Sequence, residues 1–174
     1  MNLQYVKTHI DAYNRHHQVL DAARYLLRVF GLEHPNLSKF DYQQDVPEGQ
    51  LLLTAVGSIP GKQVVYIPEN LFDFDLSLVL NLLAHEMLHV RQKAEETLVE
   101  DKNEREWQAY TEMLFHKHFP HVPEASDFHR KQFAQKALLY YDRMGSDSAL
   151  QKKYIEEKLK VEQLLAEIEK KLNS

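Results

Sequence analysis

One short stretch in the middle of the chain, Ala84 to Val90, restricts what the protein can fold into more than any other. It reads Ala-His-Glu-Met-Leu-His-Val and places two histidines four residues apart. On an α-helix, residues at this spacing lie on one face, so both imidazoles can reach one metal ion. Glu86 is rotated by about a quarter turn from His85 and can lie beside a water in the open position of such a metal. The stretch therefore predicts a metal-binding helix.

The residues around this motif have the periodicity of a helix packed into a core. The helix is predicted to begin near Asp73 or Asp75 and to end near Thr97. Apolar positions recur on the side away from the histidines: Leu76, Val79, Leu80, Leu83, Met87 and Val90. The histidine side mixes apolar and polar residues: Leu78, Leu82, Asn81 and Gln92. This mixture is typical of an apolar cleft wall with polar groups set into it.

A catalytic zinc site needs a third protein ligand, with water in the fourth position. The chain has no cysteine, so the ligands must be histidines and carboxylates. A third histidine six residues after the second is absent, because position 95 is Glu95. The remaining route is a carboxylate from a following helix. Glu104 and Glu106 lie 15 and 17 positions after His89, a natural reach for a helix that returns across a short turn.

Helical geometry chooses between these two carboxylates. With Glu106 at the origin of a helical wheel, Tyr110, Leu114 and Met113 fall within about 80° of it at 100° per residue. Glu106 therefore lies in the apolar stripe of its own helix, where an ionised carboxylate is costly unless a cation pairs with it or a metal binds it. Glu104 falls about 160° away, on the polar side, and is predicted to be a surface carboxylate. Glu106 is the predicted third ligand.

At this point the sequence resembles the gluzincin zinc metallopeptidases, in which His-Glu-x-x-His on one helix is completed by a Glu on the next. Their second motif is often Glu, an aromatic residue, Glu or Gln, Ala and Asp, as in HtpX-like and prenyl-protease-like peptidases. Residues 106–110 read Glu-Trp-Gln-Ala-Tyr and match at four positions. Tyr110 replaces the Asp that normally supports a ligand histidine. The resemblance covers roughly residues 50–118 and is closest to small gluzincin-like domains that are not membrane proteins.

The resemblance implies a hydrolase that cleaves peptide bonds with one Zn²⁺ held by His85, His89 and Glu106. Glu86 would be the general base that takes a proton from the zinc-bound water. A strand before the motif helix would form the rim of the cleft and pair with an extended peptide or protein substrate. A further residue would donate a hydrogen bond to the oxyanion that develops on the substrate, but sequence spacing does not choose among the candidates for this role. The downstream candidates are His116, His118, His121, His129, Tyr140 and Tyr141.

Composition limits which classes of protein, partner and cellular compartment fit this chain. The 174 residues are 44% hydrophobic and 27% charged, with a net charge of −5 and no basic stripe, which argues against a nucleic-acid partner. Residues 1–7 lack the basic start and apolar run of a signal peptide. The longest apolar stretch, Leu76 to Val90, is too short and too interrupted to span a bilayer. We expect a cytoplasmic protein with no nucleic-acid or membrane partner.

The residues before the motif helix predict one long helix and a hairpin. Apolar residues recur at spacings of three, four and seven over residues 2–30, which predicts a single amphipathic helix that stops at Gly31. Residues 31–49 carry several Pro, Asn, Asp and Ser and predict an extended loop. Two β-type runs, Leu51–Val56 and Gln63–Ile67, flank a turn with Gly and Pro, which predicts a β-hairpin. One of these runs is the candidate rim strand, although a hairpin that merely covers the core is the alternative.

Three further helices are predicted after the motif helix. The first covers about 99–118, the second is capped by Ser126 and ends near Met144, and the last is capped by Asp147 or Ser148. The last helix is rich in Lys and Glu; it is expected to pack on the domain, with a coiled-coil contact to a protein partner as the alternative. The predicted fold is α+β and mostly helical, in a single domain over residues 1–174. Its parts are a zincin-like core at about 50–118, an N-terminal helix and loop at 1–45, and C-terminal helices at 124–173.

Three functions fit these observations. The first is an active zinc peptidase. The second is a gluzincin-like protein that binds metal but acts as an inactive binding or regulatory protein, which Tyr110 and the unmatched helices at both ends favour. The third is a helical interaction protein in which the motif occurs by chance. Stoichiometric zinc separates the third function from the others, and peptide hydrolysis separates the first from the second.

Overall fold

The computed structural model describes residues 2–44 and 51–173, and over these residues the chain forms six α-helices and one three-stranded sheet. The helices are α1 (Leu3–Arg15), α2 (Val19–Phe30), α3 (Leu76–Gln92), α4 (Lys102–Phe115), α5 (Asp127–Arg143) and α6 (Ala149–Leu172). The strands are β1 (Leu37–Tyr42), β2 (Thr54–Gly57) and β3 (Gln63–Ile67). The predicted α+β, mostly helical fold is confirmed.

The N-terminal segment is two helices, so the prediction of one long helix over residues 2–30 was wrong. α1 ends at Arg15, and His17 adopts a left-handed conformation with φ of 55° before α2 begins at Val19. The apolar spacings of three, four and seven continue across this break, because α2 buries its apolar face in the same core as α1. The predicted stop at Gly31 is confirmed, with φ of 68°.

The sheet contains one strand that the sequence did not predict. β1 lies inside the segment assigned to an extended loop, so that assignment was wrong for residues 37–42; residues 45–49 of the predicted loop lie outside the described residues. β1 pairs in parallel with β3, and β2 pairs with β3 antiparallel, so the predicted hairpin is confirmed. The strand order β1-β3-β2 leaves β2 at an edge of the sheet.

The motif helix α3 begins at Leu76, directly after Asp75, which is one of the two predicted starting positions. The Asp75 carboxylate accepts hydrogen bonds from the backbone N–H groups of Ser77 and Leu78. The helix ends at Gln92, earlier than the predicted Thr97, and a short 3₁₀ turn at Glu95–Thr97 follows. α4 is likewise shorter than its predicted range of 99–118, because Asp101 caps its start and His116 ends it with φ of 45°.

The two C-terminal helices form with the predicted caps. Ser126 accepts a hydrogen bond from the backbone of His129, and Ser148 accepts one from the backbone of Gln151. α6 buries Val161 against the second core, which fits the expectation that the last helix packs on the domain. Among the helices that the structure describes, none combines the length and the apolar character needed to cross a membrane.

Helix α3 lies between two hydrophobic cores. The first core joins α1, α2 and the sheet to the apolar face of α3, with Leu26, Phe30 and Met87 fully buried. The second joins α4, α5 and α6 around Trp107, and Leu78 and Leu82 of α3 pack against it. Because α3 is held on both sides, the orientation of its histidine face is fixed by packing.

Candidate metal centre

Two buried histidines of α3 point their Nε2 atoms at each other. His85 and His89 are 8% and 7% exposed, and their Nε2 atoms are 3.1 Å apart. Two nitrogen lone pairs at this distance repel each other unless a proton or a cation lies between them. The arrangement therefore favours binding of a positively charged species at this point, as the four-residue spacing on a helix predicts.

Glu106 approaches the same point from α4. One of its carboxylate oxygens, Oε2, is 3.7 Å from His85 Nε2, and the other, Oε1, is 3.6 Å from His89 Nε2. The structure thus brings all three predicted ligands together, and their ligand atoms lie within 4.8 Å of one another. The helical wheel put Glu106 in the apolar stripe of α4, and this stripe is the face that packs on α3.

The geometry of the three residues fits one zinc ion. With zinc–ligand bonds of about 2.0–2.1 Å in a tetrahedron, neighbouring ligand atoms are separated by about 3.3 Å. Here the two Nε2 atoms are 3.1 Å apart, and different oxygens of Glu106 lie 3.7 Å from His85 Nε2 and 3.6 Å from His89 Nε2. Two imidazoles and one carboxylate form a donor set typical of catalytic zinc sites, in which the fourth position is left to water. The residues present therefore fit this metal in type and in spacing.

His89 is held in the tautomer that a metal requires. Its Nδ1 is 2.8 Å from Gln92 Oε1, an atom that can only accept a hydrogen bond. The proton of a neutral His89 must then be on Nδ1, which leaves the Nε2 lone pair directed at the metal position. Gln92 was noted in the sequence only as a polar residue on the histidine side.

His85 has no such support. Its Nδ1 is buried and has no hydrogen-bond partner within the described residues. The ring of Tyr110 lies edge-on to the His85 ring, with 4.6 Å between the ring centroids, and stacks on Tyr140 at 5.7 Å. An aromatic ring thus fills the place next to His85 where the gluzincin pattern leads one to expect a carboxylate.

Glu86 lies beside the metal position with its carboxylate buried. Burial raises the pKa of Glu86, while His85, His89 and a hydrogen bond from the Ala55 backbone oppose the shift. The direction of this shift suits a general base, which must accept a proton near neutral pH and then release it.

Glu106 and His89 shift each other's pKa values. Burial alone would raise the pKa of Glu106, but the two histidines outweigh burial and hold it well below its usual range. Burial alone would lower the pKa of His89, and the Glu106 carboxylate reverses this shift so that the pKa is raised. The pair therefore favours an anionic Glu106, which is the form that binds a metal.

These side chains line one cavity of about 320 Å³, which is bounded on one side by the edge strand β2. Its wall on this side consists of Leu53, Thr54, Ala55 and Ile59. Three cations line it as well: Lys93, Lys102 and Arg105. A larger cavity of about 650 Å³ lies at the α5–α6 junction, but its lining includes no histidine and none of the predicted ligands.

The predicted oxyanion candidates lie elsewhere. His116 Nε2 contacts Asn81 Oδ1 at 3.0 Å, and His118 Nδ1 contacts the buried Glu112 at 3.0 Å. None of the six candidates is among the described residues that line the cavity. Tyr110 does line it, and burial raises the pKa of Tyr110 to about 12, so its phenol remains protonated. Tyr110 was not among the predicted hydrogen-bond donors to the oxyanion, because the gluzincin resemblance marks this position only as one where an Asp is expected.

The prediction that Glu104 is a surface carboxylate was wrong. Glu104 is 8% exposed, and its Oε1 accepts hydrogen bonds from Tyr154 at 2.6 Å and Lys153 at 2.7 Å. The polar side of α4 faces α6 instead of solvent, which the helical wheel of one helix cannot reveal. The distinction between the two carboxylates still holds, because Glu104 is not in the group of possible metal ligands.

Comparison of the chain with protein-family models, curated proteins and solved structures found no match. The resemblance to gluzincins therefore stays a prediction from the two motifs.

Proposed function

We propose that this protein is a zinc-dependent peptidase with one metal ion on His85, His89 and Glu106. The observation that carries the proposal is the convergence of these three side chains from two helices, with the buried Glu86 beside them in the same cavity. A chance motif explains the spacing of the two histidines, but it gives no reason for a carboxylate from another helix to lie 3.6 Å from one of them.

A zinc ion bound there would act as a Lewis acid on the scissile carbonyl and lower the pKa of a bound water. Glu86 would be the group that accepts a proton at its carboxylate and delivers it to the nitrogen of the leaving amine. Burial raises the pKa of Glu86, which favours the protonated carboxyl that the second transfer needs. His89 keeps its orientation because Gln92 holds its Nδ1.

Two further features support a peptide substrate. The phenol of Tyr110 lies in the cavity, stays protonated because its pKa is about 12, and can donate a hydrogen bond to the developing oxyanion. The edge strand β2 borders the same cavity. The Ala55 backbone of this strand already bonds to Lys93 and Glu86, so an extended peptide would add to the edge through its other backbone groups, in the way the gluzincin resemblance implies.

A second candidate function is metal binding without hydrolysis. It is favoured by one observation, the absence of a hydrogen-bond partner for His85 Nδ1 among the described residues. A ligand histidine normally donates its other ring N–H to an oxygen, which fixes the ring and raises its basicity. A site that lacks this support on one side retains the ligands and can still be too loosely held for catalysis.

The variant Glu86→Gln separates the two functions, because it keeps all three ligands and removes the base. For a peptidase, we expect one zinc ion per chain in both proteins and a loss of hydrolysis of about 10²- to 10⁴-fold in the variant. Cleavage of an unstructured protein such as casein measures the rate. Glu100→Gln is the matched control, because Glu100 is exposed, and it should retain wild-type activity. Zinc binding with no hydrolysis by the wild type would favour the second function.

A further inference from the structure

A continuous line of hydrogen bonds runs from the metal centre to the C-terminal helix. It starts at His89 Nδ1, which is 2.8 Å from Gln92 Oε1, and Gln92 Nε2 is 2.9 Å from Gln108 Oε1. Gln108 Nε2 is 2.7 Å from the hydroxyl of Tyr154, and that hydroxyl is 2.6 Å from Glu104 Oε1. The line therefore links α3, α4 and α6, and it ends on a carboxylate.

The direction of every bond in this line is determined by its neighbours. Gln92 Nε2 also lies 3.1 Å from the backbone carbonyl of Arg105, which can only accept, so this end of the amide must be the donor. Gln92 Oε1 is then the acceptor for His89, and Gln108 Oε1 is the acceptor for Gln92. Gln108 must donate to Tyr154, whose single proton is left for Glu104. All the donors point away from the metal.

The far end of the line carries a negative charge. Glu104 is buried and forms an ion pair with Lys153 at 2.7 Å. Burial, together with the bond to Glu104, raises the pKa of Tyr154, so its phenol keeps the proton that it donates. Hydrogen bonds aligned in one direction polarise one another, so a charge at one end strengthens each acceptor along the line.

We propose that Glu104, Tyr154 and Gln108 are positioning residues for His89. In many zinc sites a carboxylate bonds directly to a ligand histidine, fixes its ring and raises its basicity. Here Glu104 has this effect through Tyr154 and two glutamines. The proposal rests on the proposed zinc site. It makes α6 part of the metal centre, although that helix begins 60 positions after His89.

Tyr154→Phe tests this line of hydrogen bonds, because it removes only the hydroxyl that joins Gln108 to Glu104. We expect zinc affinity, measured by competition with a chromophoric chelator, to fall about three- to tenfold. Tyr141→Phe is the matched control, since its hydroxyl also joins α6 to another helix, donating from α5 to the Gln151 carbonyl at 2.9 Å, but it does not reach His89. It should lower the melting temperature of the metal-free protein to a similar extent and leave zinc affinity unchanged.

A second measurement separates positioning from loss of stability. In the Co²⁺-substituted protein, Tyr154→Phe should shift the visible absorption bands, which report the ligand field, and Tyr141→Phe should not. Glu104→Gln keeps an acceptor for Tyr154 but removes the charge, so its effect should be intermediate; it also serves if Tyr154→Phe does not fold. Equal zinc affinity in all these proteins would overturn the proposal. A wild type that binds no zinc would overturn the zinc site itself.

A different observation concerns the charge of the cavity. Lys93, Lys102 and Arg105 line it, and none of them forms an ion pair with a carboxylate within the described residues. Lys93 donates a hydrogen bond to the Ala55 carbonyl at 2.6 Å, and Arg105 donates to the backbone carbonyl of Val99. Lys93 and Arg105 therefore donate to neutral backbone carbonyls, and the carboxylates that attract Lys93 electrostatically are Glu86 and Glu106.

The two carboxylates in the cavity do not balance these cations. Glu86 and Glu106 belong to the metal centre, and a divalent ion there would offset both of them. Lys102 and Arg105 are three positions apart in the first half of α4, and both precede Glu106, so their positive charge lies on the N-terminal side of the metal ligand on that helix. Repulsion from Arg105, after burial, contributes to the lowered pKa of Lys93.

We infer that the part of the cavity lined by Lys102 and Arg105 binds a carboxylate of the substrate, either an acidic side chain or a free C-terminus. The inference rests on the proposed peptidase function. Binding of peptides to zinc-loaded Glu86→Gln protein tests it without turnover. Peptides with Glu should bind about tenfold more tightly than the same peptides with Gln, and C-terminal amidation distinguishes the two sources of carboxylate.

The charge reversal Lys102→Glu should abolish this preference. Lys7→Glu changes an exposed lysine on α1 and is the matched control, for which the preference should persist. Equal binding of acidic and neutral peptides by the parent protein would overturn the inference while leaving the peptidase proposal intact. Binding of no peptide of any charge would count against both.

Discussion

The two histidines proposed as metal ligands are held in different ways. His89 donates from Nδ1 to Gln92, which is itself fixed by further hydrogen bonds, so its ring orientation and tautomer are both set. His85 is held by packing: its ring contacts Tyr110, which stacks on Tyr140, and its Nδ1 has no partner among the described residues. His89 therefore lies on a side of the site that is polar and joined by hydrogen bonds, and His85 lies on a side that is aromatic.

The difference shows that ligand geometry can be obtained by two physical routes. Hydrogen bonds select one tautomer and strengthen the ligand, at the cost of burying several polar groups that must all be satisfied. Aromatic packing restricts the ring position but selects no tautomer. We therefore expect zinc affinity to depend more strongly on the surroundings of His89 than on those of His85, although both rings are proposed ligands.

The largest effect should come from removing a ligand. His85→Ala and His89→Ala should each lower zinc affinity by more than the roughly 10- to 100-fold that loss of an orienting partner costs. Competition with a chromophoric chelator measures both. His121→Ala is the control, because His121 is exposed. If zinc affinity survived either ligand substitution, that histidine would not be a ligand.

The next largest effect should come from removing the hydrogen bond that orients His89. Gln92→Leu removes the acceptor of His89 Nδ1 and should weaken zinc binding about 10- to 100-fold. On the aromatic side, Tyr110→Phe keeps the ring next to His85 and should leave zinc affinity unchanged, while hydrolysis falls because the proposed oxyanion donor is lost. Equal losses of zinc affinity in the two variants would remove the distinction between the two sides.

The pH dependence of zinc binding follows from the raised pKa of His89. Its proton and the metal compete for Nε2, and contact with Glu106 raises the pKa of His89 against the effect of burial. Zinc affinity should therefore be greatest above this pKa and should fall about tenfold per pH unit below it for each proton displaced. Titrations at several pH values between about 5.5 and 8 span the ordinary histidine range. A zinc affinity that stays constant over this pH range would contradict competition between the proton and the metal for His89 Nε2.

The smallest effect, and the only gain, is expected from restoring a carboxylate near His85. Tyr110→Asp offers an acceptor to the unpartnered Nδ1 and should raise zinc affinity about three- to tenfold. Loss of the stack with Tyr140 limits this gain. Tyr110→Leu is the control, since it also removes the ring but offers no acceptor, and it should bind zinc no better than the wild type. A loss with Tyr110→Asp would show that packing of the aromatic ring matters more than an acceptor.

Local signals in the sequence were enough to predict which three side chains converge. Helical spacing put His85 and His89 on one face, and the position of Glu106 in an apolar stripe indicated a buried carboxylate with a cation or metal as partner. The caps at Asp75, Ser126 and Ser148 are short-range hydrogen bonds, so they too could be read from neighbouring residues.

Features that depend on distant partners could not be predicted. Glu104 looked exposed because its partners, Lys153 and Tyr154, lie about 50 positions later on α6. The strand β1 forms only by pairing with β3, and its own residues resemble a loop. The break at His17 was hidden because both flanking helices bury residues in one core, so that the apolar periodicity continues through the break.

The most direct test of the zinc site is the zinc content of the purified full chain after exposure to zinc and removal of the excess. The wild type should hold one ion per chain, and Glu106→Gln should hold far less, because the amide is a much weaker ligand than the carboxylate. Glu100→Gln should match the wild type. A wild type without zinc, or a Glu106→Gln variant with a full complement, would contradict the proposed site.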